Sequence, residues 1–207
     1  GFGSGRMNIT AYSPASGNLG DSNVGGHFGP ELRFAGYDHL IVTGRSPHPA
    51  YLLIRDDAVE IRDASHLWGL NTLEAQQALR REVGDERLRV LAIGPAGERG
   101  VRMASIITGP KDAAGRFGMG AVMGSKNLKA VAVKGSRDLT VAHPRELLSH
   151  IRQQYEGLWK RKWIQTLGRL GTPLLMAPAN EGGWLLTRND QGGPLGERGR
   201  AIYAESL

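Results

Sequence analysis

Two glycine-rich segments carry most of the chemistry this sequence can do. The first is Asp21-Ser22-Asn23-Val24-Gly25-Gly26-His27-Phe28-Gly29-Pro30. Paired glycines permit positive φ and let a ligand come close to the backbone, and consecutive N–H groups in such a loop form a concavity that suits a phosphate or a flat heterocycle. The same residues would also serve as a tight turn between two elements. The second segment runs from Ala113-Ala114-Gly115-Arg116 through Gly118, Gly120 and Gly124 to Ser125-Lys126-Asn127. It reads either as backbone held against an anion with a cationic head nearby, or as a close-packed turn with no ligand.

Other constellations are weaker. Gly94-Pro95-Ala96-Gly97-Glu98-Arg99-Gly100 follows an expected strand, but its glycine spacing is not that of a dinucleotide fingerprint. Met123 stands where Gly118-Met119-Gly120 would need a third glycine, and no Walker A pattern occurs. His27, His39, His48, His66, His143 and His150 fall into no metal-binding or triad spacing; His27, inside the first glycine loop, reads mainly as a hydrogen-bonded structural residue. Zero cysteines exclude a disulfide or a thiolate-held cluster built from these residues alone. Trp159-Lys160-Arg161-Lys162-Trp163 could stack on nucleic acid, but it reads better as two packing aromatics with solvated cations.

The elements that would position these residues follow from patterning. Met7–Ser13 reads as a strand, residues 20–29 as a glycine-rich turn, and Glu31–Ala35 as a short helix stopped by Gly36. Leu40–Thr43 reads as a compact strand. Ala50–Ile54 and Val59–Arg62 read as a hairpin with a four-residue connection. Asn71 or Thr72 can cap a helix reaching Val83, with Gly84 as its stop. Val90–Ile93, Arg102–Thr108 and Leu128–Val133 complete the strands. From Pro144 to about Trp163 an apolar stripe at Leu147, Leu148, Ile151, Tyr155 and Leu158 predicts a helix, and beyond Leu170 the pattern is loop-rich. Strands and helices do not alternate regularly, which argues α+β rather than doubly wound α/β.

The chain has 207 residues, 40% hydrophobic and 22% charged, the profile of a globular protein; 30 glycines are the anomaly. A net charge of +6 calls for an anionic partner: nucleic acid, an anionic membrane or a phosphorylated ligand. No apolar run approaches the roughly 18 residues of a membrane span, and no secretory leader is evident, so the expected compartment is the cytoplasm. The first methionine is Met7, and the chain reads as lacking its native start.

Five segments in order resemble the N-terminal domain of the aldehyde:ferredoxin oxidoreductase family. They are Ser4-Gly5-Arg6, Gly25–Asp38, Ile61–Gly69, Ile93–Glu98 and Ala114–Lys129. The resemblance implies an α+β fold with two mixed β-sheet subdomains as a cofactor cradle over residues 1–137. The start of a helical domain would follow over 138–207, truncated before the cluster-binding cysteines. It further implies a tungsten or molybdenum bis-pyranopterin whose phosphates are bridged by Mg²⁺, with a [4Fe–4S] cluster in the full-length protein only. Arg6 matches the phosphate-contacting arginine, Asn23 and Gly25 with Gly26 the first-loop contacts, and Ala113, Ala114, Gly115 and Arg116 the second loop. Asn23 and Ala113 would offer backbone carbonyls to Mg²⁺. Asp112 departs from the pattern, since some members carry arginine there; Lys111 or Arg116 could replace that contact, or Asp112 could ligate the Mg²⁺ itself.

The implied reaction is oxidation of an aldehyde to a carboxylic acid with ferredoxin or an electron-transfer subunit as acceptor, in a homodimer or complex. Some relatives instead reduce aromatic thioesters. No catalytic residue is expected in this segment, which alone would be inactive. The competing readings are a stand-alone anion- or nucleic-acid-binding module and a domain whose active site has decayed.

Overall fold

Leu128–Lys134 (β8) carries the apolar run Ala130–Val133 and is buried at every position but its last, as a strand covered on both faces must be. In the computed structural model, which describes residues 5–206, β8 lies at the middle of a six-stranded mixed sheet. The strands are β3 (Ala50–Arg55), β4 (Ala58–Asp63), β5 (Arg89–Ala92), β6 (Ile106–Thr108) and β7 (Asp112–Ala114), in the order β4-β3-β8-β5-β6-β7. Only β3 and β8 are parallel. A separate antiparallel ribbon joins β1 (Met7–Tyr12) to β2 (Leu19–Val24). The α+β class expected from the sequence is the class observed.

Alternation sends successive strand residues to opposite faces. Leu52, Ile54, Val131 and Val133 enter one core with Phe28 and Leu32 of α1 (Phe28–Phe34) and Met119 and Met123 of α4 (Met119–Ser125). Met7, Ile9 and Ala11 of β1 pack against that core. Tyr51, Leu53, Ala130 and Ala132 enter the other, covered by Ala75 and Leu79 of α2 (Thr72–Val83). Asn71 caps α2 in a full capping box with Glu74, and Gly84 ends the helix at φ 70°.

A second unit, Val141–Leu207, is contiguous in sequence with the first, Gly1–Thr140. It holds α5 (Pro144–Trp159), α6 (Lys162–Leu170), α7 (Met176–Glu181) and the short pair β9 (Leu186–Thr187) and β10 (Gly192–Pro194). Among the described residues no helix is long and apolar enough to cross a membrane.

Several local expectations need correction. Residues 20–29 are not all turn, because β2 runs through Val24 and Asn23 stands on a strand. Leu40–Thr43 forms no ladder and leaves Ile41 83% exposed; β-branched residues favour a strand, but no neighbour supplies the pairing. Of Arg102–Thr108 only the last three residues pair, since the chain first turns through α3 (Pro95–Glu98) and bends at 102–103. The hairpin connection is two residues, Asp56 and Asp57, with Asp56 at φ 49°. The helix expected to reach Trp163 breaks after Trp159, whose ring stacks on Tyr155.

Candidate functional site: a polar corner between two strands

The β1–β2 ribbon has a buried face and an open one. Ser22 and Val24 point inward, while Asn8 and Asn23, directly opposite each other in the ladder, lie on the exposed face. Asn23 donates from Nδ2 to Asn8 Oδ1 at 2.6 Å, and Arg6 donates from Nη1 to Asn23 Oδ1. The guanidinium is thus tethered at the start of β1 with donors to spare.

β7 is the edge strand of the large sheet, so one side of its backbone is not used by the sheet. Its Asp112 is partly buried, Ala113 exposed and Ala114 buried. The Asp112 carboxylate lies against the turn that follows β2. A β-carbon on Gly25 would stand 3.2 Å from its Oδ1, and one on Gly26 would stand 2.9 Å from its Oδ2. Gly26 has φ +82°, a conformation glycine adopts without strain. Just beyond β7, the Arg116 amide donates to Ser22 Oγ at 3.0 Å. Ser22, Gly25 and Gly26 therefore meet the Asp112–Arg116 segment, far apart in sequence, while Arg6 is tied through Asn23 to the exposed face of the same ribbon.

The rest of the second glycine cluster has a different role. A β-carbon on Gly120 would meet the Ala104 carbonyl oxygen at 2.8 Å, and one on Gly97 would meet the Gly120 carbonyl oxygen at 2.8 Å. Gly124 also packs on the Gly97 carbonyl, so these glycines let α3 and α4 touch backbone to backbone. Lys126 turns away and donates to the Gly44 carbonyl at 3.0 Å, while Ser125 Oγ donates to its own helix at Val122. Lys129 and Glu98 form a buried ion pair, completed by Lys129 donating to Leu70 O at 2.8 Å and Gly69 N donating to Glu98. His27 precedes α1, is exposed and makes no capping bond with its side chain.

Sequence reasoning missed Asn8 and Ser22, because both gain meaning only from the β1–β2 register and the buried side of β2. An apolar cavity of 470 Å³ also opens between β1, residues 38–42 and α4, lined by Met7, Ile9, Leu40, Met119 and Met123 among others. None of Arg6, Asn23, Gly25, Gly26 and Ala113–Arg116 lines it. Among the described residues no cluster of three or more histidine, aspartate or glutamate side chains could hold a metal ion, so a cation here would need backbone carbonyls.

Comparison with known proteins places the chain in a family. The family model described as aldehyde ferredoxin oxidoreductase, N-terminal domain, matches residues 1–135. The tungsten-containing aldehyde ferredoxin oxidoreductase of Pyrococcus abyssi is 45% identical over 190 residues, 91% of this chain and 31% of that protein. The WOR-like subunit of an aliphatic sulfonate oxidoreductase from Pyrococcus furiosus is 38% identical over 176 residues, 79% of this chain and 28% of its own length. Among solved structures, the active-site complex BamBC of benzoyl coenzyme A reductase, bound to 1,5-dienoyl-CoA, superposes with a TM-score of 0.75 at 43% identity. That superposition covers 77% of this chain and 24% of that one. The chain thus spans about a third of the length of the first relative, 31%, and less of the others. A model matching well over half the residues, over a fold shared with a solved relative, shows that this chain belongs to the aldehyde ferredoxin oxidoreductase family and carries its N-terminal domain.

Proposed function

We propose that the Arg6–Asn23 corner and the Asp112–Ala113 edge form the phosphate- and Mg²⁺-binding floor of a bis-pyranopterin holding tungsten or molybdenum. The observation that carries this reading is the juxtaposition of the Gly25–Gly26 turn with β7, beside a guanidinium already tethered to Asn23. The residues fit the group. Arg6 offers a fork of donors to a phosphate, and the Gly25–Gly26 turn, without side chains of its own, makes room for the Asp112 carboxylate beside it. The exposed Ala113 can present its carbonyl, as Asn23 can, to a hard cation that prefers oxygen ligands. Asp112 does not suit a bare phosphate, because two anions repel; it suits a phosphate bridged by a cation, to which it adds a carboxylate oxygen. Gly115 and Arg116, both exposed, extend the same edge, and Ala114 anchors it in the core.

When bound, the metal centre of such a cofactor supplies the two-electron chemistry; the residues of this chain bind and orient its phosphate end. In the complete protein the activity would be oxidation of an aldehyde to a carboxylic acid. Ferredoxin or an electron-transfer subunit would take the electrons through a [4Fe–4S] cluster held outside this segment. The second unit, with α5 and α6, reads as the beginning of the helical domain, and the protein as a cytoplasmic homodimer or complex subunit. The likeness to the benzoyl coenzyme A reductase component favours one second reading, a relative that reduces aromatic thioesters on the same floor.

Calorimetric titration of this chain with pyrophosphate, with and without Mg²⁺, tests the floor. Binding that needs Mg²⁺ and falls by about 10-fold in Arg6→Ala is expected, the loss of a charged hydrogen bond of roughly 1.5–3 kcal/mol. Equal affinity in Arg6→Ala, or no binding by the unaltered chain, would refute it. Metal analysis of the full-length protein decides between tungsten and molybdenum.

A further inference from the structure

β7 is held at both ends by buried side chains that lie away from the polar corner. At its start, Gln76 of α2 is fully buried and faces the turn between β6 and β7. Its Oε1 accepts from Gly109 N at 2.9 Å, and its Nε2 reaches Gly109 O at 3.4 Å. At its exit, Ser22 is 1% exposed, and its Oγ accepts from Arg116 N at 3.0 Å. Each side chain directs its polar atoms to the hairpin backbone rather than to water. A buried donor or acceptor without a partner is strongly disfavoured, so these contacts select one position of β7 along β2 and α2.

Ser22 is the residue before Asn23, and alternation turns the two side chains to opposite faces of β2. Whatever moves Ser22 relative to Arg116 therefore moves the Asn23 carbonyl relative to Ala113. We infer that Ser22 and Gln76 are positioning residues that set the gap between the Asn23 and Ala113 carbonyls, and so the affinity of the floor for a cation-bridged diphosphate. This rests on the floor reading above, and neither residue touches the ligand.

The test uses this chain with Mg²⁺ and inorganic pyrophosphate as probe. Ser22→Ala and Gln76→Met should weaken binding roughly 10-fold, the usual effect of removing a partner behind a metal ligand. Ser22→Thr, which keeps the hydroxyl, should restore it. Tyr51→Phe is the control, because it removes a buried hydroxyl whose bond to Glu82, at 2.7 Å, ties β3 to α2 and not to the β6–β7 hairpin. Variants that lose thermal stability as Tyr51→Phe does, yet bind like the unaltered chain, overturn the inference. Amide hydrogen exchange over residues 112–116 is read without ligand. It should rise in Ser22→Ala and Gln76→Met and not in Tyr51→Phe; unchanged exchange overturns the positioning role even where binding data fail. Absence of binding by the unaltered chain is a different failure, that of the floor itself. Should Gln76→Met not fold, Ser22→Ala alone, lacking one hydroxyl, carries the comparison.

Discussion

The carboxylate of Asp112 lies across the turn at Gly26, its Oδ2 2.9 Å from where a β-carbon on that residue would stand. An acidic side chain thus packs on a glycine turn whose backbone N–H groups would favour an anion. On the floor proposed above, a cation between them would reconcile the two preferences. Two expected outcomes concern this corner, and two concern polar contacts elsewhere in the first unit.

Gly26→Ala should destabilise the chain by about 1–3 kcal/mol, the usual cost of holding a non-glycine residue at positive φ, here φ +82°. The steric part comes from Asp112 and is shared with it. Combining Gly26→Ala with Asp112→Ala should therefore cost less than the sum of the single changes in urea unfolding. Strict additivity would show that the two residues do not touch in solution.

Asp112→Ala should lower Mg²⁺ affinity at the floor, and Asp112→Arg should make pyrophosphate binding less dependent on Mg²⁺. The first removes an oxygen from the cation, and the second places a cationic fork beside the phosphate. Titration with each ion separates the two effects. Unchanged Mg²⁺ and phosphate occupancy in Asp112→Ala would show that the carboxylate is no ligand.

Lys129→Met should be among the most damaging single changes in the first unit, by roughly 3–5 kcal/mol, because it strands a buried carboxylate. Lys129 is 0% and Glu98 5% exposed, and Glu98 also accepts the Gly69 amide. Changing both, as Lys129→Met with Glu98→Leu, should recover much of the loss. Equilibrium unfolding in urea reads this directly.

Acid should loosen the exit from the first unit. Asp56 accepts from Ser136 Oγ at 2.7 Å and from Ser136 N at 2.8 Å, and these bonds hold its carboxyl below the usual range, the side-chain bond contributing most. A carboxyl depressed in the folded state stabilises fully above its unfolded value, about 3.9, and that stabilisation is lost as pH falls through the lower folded value. Ser136→Ala should therefore narrow the difference in urea midpoint between neutral pH and the acid side of that window. An unchanged difference would remove Asp56 as its source.

What the sequence determines by itself is the set of elements whose chemistry is local. Asn71 and Gly84 bracket α2 because a cap and a left-handed stop act within one turn. The apolar run of β8 demands burial on both sides wherever it lies. The ordered motifs also name the family, since five segments in sequence carry more information than any one glycine pair. Only the tertiary structure decided what each glycine is for. Gly25 and Gly26 make room for Asp112 while Gly97, Gly120 and Gly124 make room for one another's helices, a difference set by neighbours distant in the chain. It also left Leu40–Thr43 without a ladder, because a strand forms only where another backbone meets its hydrogen-bonding groups. The Arg6–Asn23–Asn8 cluster and the contact of Asp112 with the Gly25–Gly26 turn exist for the same physical reason: the register of β1 on β2 makes the first and β7 at the sheet edge the second, and no spacing along the chain encodes either meeting.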